Sequence, residues 1–441
     1  MDMKKVYKER LGSIEDGLKM LKSGDVVVSA LGAVEPQGIL SQLHTIKDKV
    51  RNVEVYMCLP MKDYDFFKNP DMDGHVNLIS WFHTPMVRSI NTDTERQIIP
   101  YQPNHLYLAS RDLLSWRKVN VFLGACTPPD HTGHVSISCS LPFEKDILEA
   151  AEIVILEVNE KLPRCHGDTH VRVDKVDLFY EYSHPIPQLN TPLPNEKDRM
   201  IGNFCAELIE NGSTIQLGIG GIPNACALAL IDAGKKNLGV HSEMFVDSMV
   251  DLYYAGVIDN SEKTVKKDKF IATFALGTQK VYDFIHDNMS VEILRGKWVI
   301  DPHIISQNNR MVSINACLMV DLTGNVASES IGPVHYSGTG GQSATHTGAR
   351  ECEVGGLGKG ILTTYSVSEG KGEVKSKIVP MLPEGSTVTT HRSTVDHIVT
   401  EYGVAYLRGR DTKRRALNLI EIAHPDFRPQ LREEAKRLRF I

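Results

Sequence analysis

The sequence repeats itself, and a repeat ties both halves of a chain to one fold. Asp130-His-Thr-Gly-His-Val135 returns roughly 190 residues later as Asp321-Leu-Thr-Gly-Asn-Val326, and each copy is preceded by an Ala-Cys step, Ala125-Cys126 and Ala316-Cys317. Near the start of each half, a helix-like stretch ends in a turn glycine and gives way to a β-rich run. The two versions are Lys22-Ser-Gly-Asp-Val-Val-Val-Ser29 and Glu210-Asn-Gly-Ser-Thr-Ile-Gln-Leu217, with Gly24 opposite Gly212. Anchors in one order at nearly one spacing point to two related domains.

In each half short β-branched runs alternate with amphipathic segments, the pattern of a parallel sheet flanked by helices. In the second half strands are expected at 213–218, 238–242, 270–276 and 311–319. The predicted class is α/β, with two related open α/β/α domains. Pro185, Pro187, Pro192 and Pro194 exclude a helix or a central strand from the stretch Ser183 to Pro194. The boundary falls there, giving domains over 1–188 and 189–441.

With 41% hydrophobic and 24% charged residues, the 441-residue chain has the balance of an ordinary globular protein. It contains no 18-residue apolar run and no signal-peptide pattern, so no membrane partner is expected and a cytoplasmic location follows by default. A net charge of −6 and a pI near 6.3 lack the basic footprint that nucleic acid requires. The eight cysteines are scattered, with no Cys-x-x-Cys pair, and read as reduced, mostly buried thiols.

The repeat also acts as an internal control, because a residue needed only for the fold tends to appear in both copies. Aligning Asn52-Val-Glu-Val-Tyr-Met-Cys58 with Asn237-Leu-Gly-Val-His-Ser-Glu243 sets Cys58 opposite Glu243, so the carboxylate belongs to the second half alone. Phe245, Val246, Met249, Val250 and Tyr253 follow at helical spacing. Glu243 is therefore expected where a strand end meets a helix N-terminus, the edge at which open α/β sheets bind ligands. The helix dipole there predicts an ionised side chain at neutral pH. An ionised carboxylate needs no partner base to act as a nucleophile. The competing reading is a helix-capping acid.

Two glycine-rich turns bear on that choice. Leu217-Gly-Ile-Gly-Gly-Ile-Pro-Asn224 links a strand to an apolar helix, and its backbone N–H groups can cradle phosphate or stabilise an oxyanion. It is not a complete dinucleotide fingerprint, since Pro223 replaces the third glycine, and a plain structural turn remains an alternative. Tyr336-Ser-Gly-Thr-Gly-Gly-Gln342 is the second. Two such loops beside a lone carboxylate suit acyl transfer.

Together, Gly218-Ile-Gly-Gly-Ile-Pro-Asn224, His241-Ser-Glu-Met244, Ser337-Gly-Thr-Gly-Gly-Gln342, Val399-Thr-Glu-Tyr-Gly-Val-Ala405 and Ile422-Ala-His-Pro-Asp-Phe-Arg428 resemble the acetyl-CoA hydrolase/transferase family. The similarity is nearest to its 4-hydroxybutyrate and butyryl-CoA:acetate CoA-transferases. It extends from Tyr7-Lys-Glu-Arg10 through Leu156-Glu-Val-Asn159 and Ala275-Leu-Gly-Thr278.

The resemblance implies CoA-transferase-type domains, commonly in a homodimer, with Glu243 as the nucleophile of a ping-pong cycle through a glutamyl-CoA thioester. It implies coenzyme A as co-substrate, a short-chain acyl-CoA and a small carboxylate such as acetate as partners, and no metal. CoA contacts carried over by the resemblance are Gly218, Ile219, Gly220, Gly221, Ile222, Asn315, Gly338, Gly340, Gly341 and Lys377. For Lys377 a solvated surface lysine is the competing reading.

The chain departs from its relatives after Gly-Gly-Gln, where many carry an acidic-aromatic pair and this one carries Ser343-Ala-Thr-His346. It departs again at Leu31-Gly-Ala-Val-Glu-Pro36, where some relatives have a histidine.

Other chemistries find less support. His131 and His134 face Leu322 and Asn325 in the second copy, which favours a turn role over a metal site. Cys165-His-Gly-Asp-Thr-His170 packs potential zinc ligands together but has no second cluster to complete a recognisable spacing. There is no Gly-x-Ser-x-Gly elbow and no Gly-x-x-x-x-Gly-Lys-Ser/Thr loop. The alternatives to transfer are an acyl-CoA hydrolase on the same fold and a non-catalytic acyl-CoA or sugar-phosphate sensor. A sensor has no use for Glu243.

Overall fold

The structure, a computed structural model, describes residues 2–93, 97–370 and 372–441. The chain forms two compact units, one from 1–189 with 273–298, the other from 190–272 with 299–441. The first crossing lies in the proline-rich stretch. The next lies within the strand Phe270–Ala275.

In the first unit β1 (Leu11–Gly12), β2 (Val26–Ser29), β3 (Val53–Cys58), β4 (Val76–Phe82), β5 (Val121–Cys126), β6 (Ile153–Val158) and β7 (Leu178–Glu181) form an all-parallel sheet ordered β1-β7-β6-β5-β2-β3-β4. The β-branched run Val26-Val-Val is buried throughout because helices cover both faces of a parallel sheet. Val27, Val53, Val55, Val121, Leu123 and Ile155 share one core with Ile39 and Leu40, each side chain contributing about 1.5–3 kcal/mol by its burial.

The second unit repeats this plan. Its strands β8 (Thr214–Leu217), β9 (Gly239–Phe245), β10 (Val312–Ala316), β11 (Lys359–Thr363), β12 (His397–Thr400) and β13 (Gly403–Tyr406) run in the order β13-β12-β11-β10-β8-β9, parallel except for β13. The order β12-β11-β10-β8-β9 matches β7-β6-β5-β2-β3, so the duplication read from short motifs is a duplication of topology.

The local chemistry repeats too. Gly24 and Gly212 both take left-handed backbone angles, φ +81° and +76°, where a side chain is disfavoured. Asp130 Oδ1 accepts from Thr132 N, Thr132 Oγ1 and His134 N, and Asp321 Oδ1 accepts from Thr323 N, Thr323 Oγ1 and Asn325 N. His131 and His134 accordingly belong to an Asp-headed turn.

Expected strands 213–218, 238–242 and 270–276 appear as Thr214–Leu217, Gly239–Phe245 and Phe270–Ala275. The expected run 311–319 divides into Val312–Ala316 and Met319–Asp321, because Cys317 N makes the last ladder bond to Thr363 O and Leu318 N then bonds Ala327 O in a different sheet.

Three helices of the second unit frame the region of interest: α1 (Glu196–Leu208), α2 (Gly221–Asp232) and α4 (Gln342–Glu351), with α3 (Asp247–Tyr254) following β9. Asn195 and Asp198 close a capping box at the start of α1. The first two cross so closely that a Cβ on Gly202 would lie 2.6 Å from the Ala225 carbonyl carbon. Among the described residues no helix is long and apolar enough to cross a membrane.

Candidate active site

Strand order fixes where a ligand can sit. From β8 the chain steps outward to β9, then returns to lay β10, β11 and β12 on the other side, so β8 and β10 flank the topological switch point. In open α/β sheets the crevice beyond the carboxyl ends of such strands binds ligands. β8 runs directly into Gly218, β10 ends around Asn315, and β9, next to β8, carries Glu243.

Glu243 lies within β9, with α3 starting four residues later at Asp247. Phe245 and Val246 precede that helix, whose buried face is Ser248, Met249, Val250 and Leu252, while Tyr253 is exposed. A helix dipole fades within one turn, so it does little for Glu243. The expected ionisation is corrected accordingly: burial raises the carboxyl pKa to about 7, against the lowering effect of a hydrogen bond from the Gly341 N–H. At neutral pH the group is near half-ionised, and it is partly accessible to an incoming molecule.

The contact with Gly341 explains a glycine. A Cβ there would lie 2.1 Å from Glu243 Oε2 and 3.2 Å from Ile300 Cγ2, so any side chain would drive the carboxylate out. Two residues before Glu243, His241 donates from Nε2 to Val299 O at 2.7 Å. Burial and the nearby Lys263 ammonium push its pKa down to about 3, which keeps the imidazole neutral. Lys263 Nζ in turn donates to Val240 O and Lys269 O at 2.6 Å, fixing β9 from behind.

Gly218, Ile219, Gly220, Gly221 and Ile222 lead into α2 and are all partly accessible. Gly220 has φ +126° and no side-chain cap completes the helix start, which leaves the first N–H groups of α2 without a side-chain acceptor. A Cβ on Gly221 would lie 2.4 Å from Asp198 Oδ2. That carboxylate is occupied by Asn195 N at 2.9 Å and Tyr365 OH at 2.6 Å.

In the second loop Tyr336 N and Ser337 N donate to Glu329 O, Thr339 Oγ1 donates to Glu329 Oε2 at 2.7 Å, and Gln342 Nε2 donates to Ser328 Oγ at 2.8 Å. These bonds set the path through Gly338 and Gly340 (φ +54°) to Gly341.

Asn315 is tied to Gln216, Ser313 and Thr345, which places it between the two loops. Lys377 stands apart, lining a cleft of about 580 Å³ with Asn195, Lys197, Tyr365 and Glu369. It is half-buried, its pKa lowered by desolvation, and its Nζ lies 5.9 Å from the Tyr365 ring. It is not a solvated surface lysine.

Gln216, Ser313, Thr345 and Glu329 were missed from sequence. The signal for two of them was present: Ser313 recurs with Asn315 at period two in the otherwise apolar Met311 to Asn315 run, and Gln216 interrupts Thr214-Ile-Gln-Leu.

The eight cysteines are all buried and free. Within Cys165 to His170 the groups bond elsewhere, Thr169 Oγ1 to Cys165 O and His166 Nε2 to Asp287. No group of three or more potential metal ligands converges among the described residues.

Family models place the geometry in context. The N-terminal domain of acetyl-CoA hydrolase/transferase matches residues 1–188, and the C-terminal domain matches 277–435. The chain belongs to the acetyl-CoA hydrolase/transferase family.

Its full-length relatives are CoA-transferases, and it is an enzyme of that class, using CoA as co-substrate. It is 39% identical over 440 residues to the 4-hydroxybutyrate coenzyme A transferase of Clostridium kluyveri, covering 99% of this chain and 100% of that one. It is 36% identical over 441 residues to the succinyl-CoA:cyclohexane-1-carboxylate CoA transferase of Geobacter metallireducens, covering 99% and 97%. Among solved structures, RipA from Yersinia pestis matches with a TM-score of 0.92 at 31% identity over 100% of both chains. The 4-hydroxybutyrate CoA-transferase of Porphyromonas gingivalis matches with 0.81 at 31% over 99% of both.

Proposed function

We propose that this family member transfers CoA between a short-chain acyl-CoA, of the butyryl, 4-hydroxybutyryl or acetyl type, and a small carboxylate such as acetate, with Glu243 as nucleophile. The observation that carries the reading is the partly accessible Glu243 carboxylate on the carboxyl edge of the sheet, held by the N–H of a glycine that admits no side chain. A capping acid would instead sit on a helix N-terminus, which Glu243 does not.

The chemistry balances without an energy source. Ionised Glu243 attacks the thioester carbonyl, and collapse of the tetrahedral intermediate breaks the C–S bond, leaving an acyl-glutamyl anhydride and CoA thiolate. The thiolate attacks the glutamyl carbonyl, releasing the first acid as its carboxylate and forming glutamyl-CoA thioester. A second carboxylate reverses these steps. A thiol of pKa about 8.5 leaves without strong acid assistance, so backbone donors suffice to stabilise each oxyanion.

In this reading Gly218 to Ile222 and Gly338 to Gly341 supply N–H donors, Asn315 a contact at the end of β10 and Lys377 a cation to coenzyme A. Relatives that act on 4-hydroxybutyrate, butyrate and acetate support short acids, while the Geobacter relative takes cyclohexane-1-carboxylate. The chain's own Leu31 to Pro36 loop is buried and apolar except for Glu35.

The test is product analysis after incubation with butyryl-CoA, with and without acetate. Acetate-dependent acetyl-CoA formation supports transfer. Free CoA released at one rate regardless of acetate would replace transfer by hydrolysis, and retention of either activity in Glu243→Ala would remove the nucleophile.

A further inference from the structure

A buried polar cluster between the two glycine loops, which includes Asn315, supplies no reacting group to the transfer steps above. Gln216 from β8, Ser313 and Asn315 from β10 and Thr345 from α4 are all buried. Asn315 Nδ2 gives its two protons to Ser313 Oγ at 2.9 Å and Thr345 Oγ1 at 3.1 Å. Ser313 Oγ gives its own to Gln216 Oε1 at 2.8 Å, and Gln216 Nε2 returns one to Asn315 Oδ1 at 3.4 Å. Thr345 Oγ1 passes its proton to Gln342 O at 3.2 Å. Each of these protons has an acceptor.

Thr345 is the point where this cluster meets the nucleophile's support. Its backbone N–H donates to Gly341 O at 2.8 Å, closing the first turn of α4, while its hydroxyl fastens that turn to Asn315. Through Gln216, the same cluster reaches the strand that runs two residues later into Gly218. An apolar residue at 345 would leave one Asn315 proton only the longer contact to Gln216 Oε1, 3.3 Å, and would remove the hydroxyl that ties α4 to β10.

We propose that Thr345 is a positioning residue of the transfer reaction, fixing the first turn of α4 so that the Gly341 N–H stays on Glu243 in register with the Gly218 to Gly221 loop. The inference rests on Glu243 being the nucleophile. It also gives a role to the segment Ser343 to His346, where this chain departs from the acidic-aromatic pair of many relatives. No charged side chain sets the ionisation of Glu243, only burial and the Gly341 N–H, so a loosened N–H acts on it directly.

Thr345→Val keeps the shape and removes the hydroxyl. The acid limb of its kcat/KM profile is expected to move up by about one pH unit, so that activity at pH 7 falls about fivefold and recovers in alkaline buffer. Thr345→Ser restores the original midpoint. Ser313→Ala, which removes an acceptor from the same Asn315 amide, shifts it in the same direction and stands in if the valine variant does not fold.

The midpoint is also read without turnover, from the pH dependence of the stability difference between each variant and its Glu243→Gln counterpart. An unmoved midpoint in both Thr345→Val and Ser313→Ala, or a serine variant as displaced as the valine one, overturns the proposal. A stability midpoint that moves while Glu243→Gln still transfers CoA shows that Thr345 holds the Gly341 N–H on Glu243, but removes the nucleophile assignment and with it the role in transfer.

Discussion

Glu243→Gln should inactivate the enzyme and make it more stable. A carboxyl whose pKa rises from 4.5 to about 7 on folding binds its proton more tightly in the native than in the unfolded chain. Its stabilising contribution is full below pH 4.5 and is lost as pH rises through about 7. At pH 8 the shift corresponds to about 3 kcal/mol of penalty, and because the carboxylate is partly accessible, solvent screening brings the expected value to about 1–3 kcal/mol. Glutamine has the same shape, stays neutral, and its Oε1 can keep accepting from Gly341 N–H.

For a unit of this size each kcal/mol moves the melting temperature by about 2–4 °C, so the variant should melt roughly 3–10 °C above the parent at pH 8 and close to it at pH 4.5. Thermal melts of both proteins across that range, following the transition of the second unit, provide the assay. A glutamine variant that is less stable at pH 8, or a difference that does not change with pH, would refute the idea that burial raises the Glu243 pKa in the folded protein.

Other expectations follow from the same geometry. Gly341→Ala places a Cβ 2.1 Å from Glu243 Oε2 and should lower kcat/KM by at least about a hundredfold for an overpacking cost of only about 1–3 kcal/mol, measured by steady-state kinetics beside a melt. The parent's activity should rise with pH through about 7, where Glu243 ionises; an acid limb near 4.5 in the kcat/KM profile would contradict its burial.

His346 and His241 are held neutral by burial, with pKa values about 4 and about 3. Both contribute stability that is present above pH 6.5 and lost as pH falls toward those values. Glu243 opposes that loss between 7 and 4.5, so acid destabilisation should be steeper in Glu243→Gln than in the parent. Lys377→Ala should raise KM for acyl-CoA several-fold with kcat nearly unchanged, the signature of a contact made equally in ground and transition states.

Much of the fold was legible because duplication constrains both halves at once. Gly24 and Gly212 marked equivalent turns, the two Asp-x-Thr-Gly turns marked equivalent strand ends, and β-branched runs gave the sheet class. What escaped was governed by contacts distant in sequence. Glu243 looked like a residue at a helix start, because Phe245 and Val246 fit a helical face as well as a strand end. Its raised pKa comes from burial beneath segments distant in sequence, partly offset by the N–H of Gly341, nearly a hundred residues away.

The glycine motifs were visible, but what holds them in place was not. Thr345 and Gln216 carry no sequence mark of a shared role, since β8, β10 and α4 bring them together only in the fold. Lys377 could be read as solvated because burial of a lone lysine leaves no periodic trace.

The central claim is that Glu243 carries coenzyme A covalently, and peptide mapping of the protein tests it most directly. After incubation with butyryl-CoA in the absence of acceptor, borohydride reduction or hydroxylamine trapping should modify the peptide containing His241 to Met244 at Glu243, and addition of acetate before trapping should clear the label into acetyl-CoA. An unmodified Glu243 in protein that is turning over, or a label on any other side chain that acetate discharges, would contradict the account.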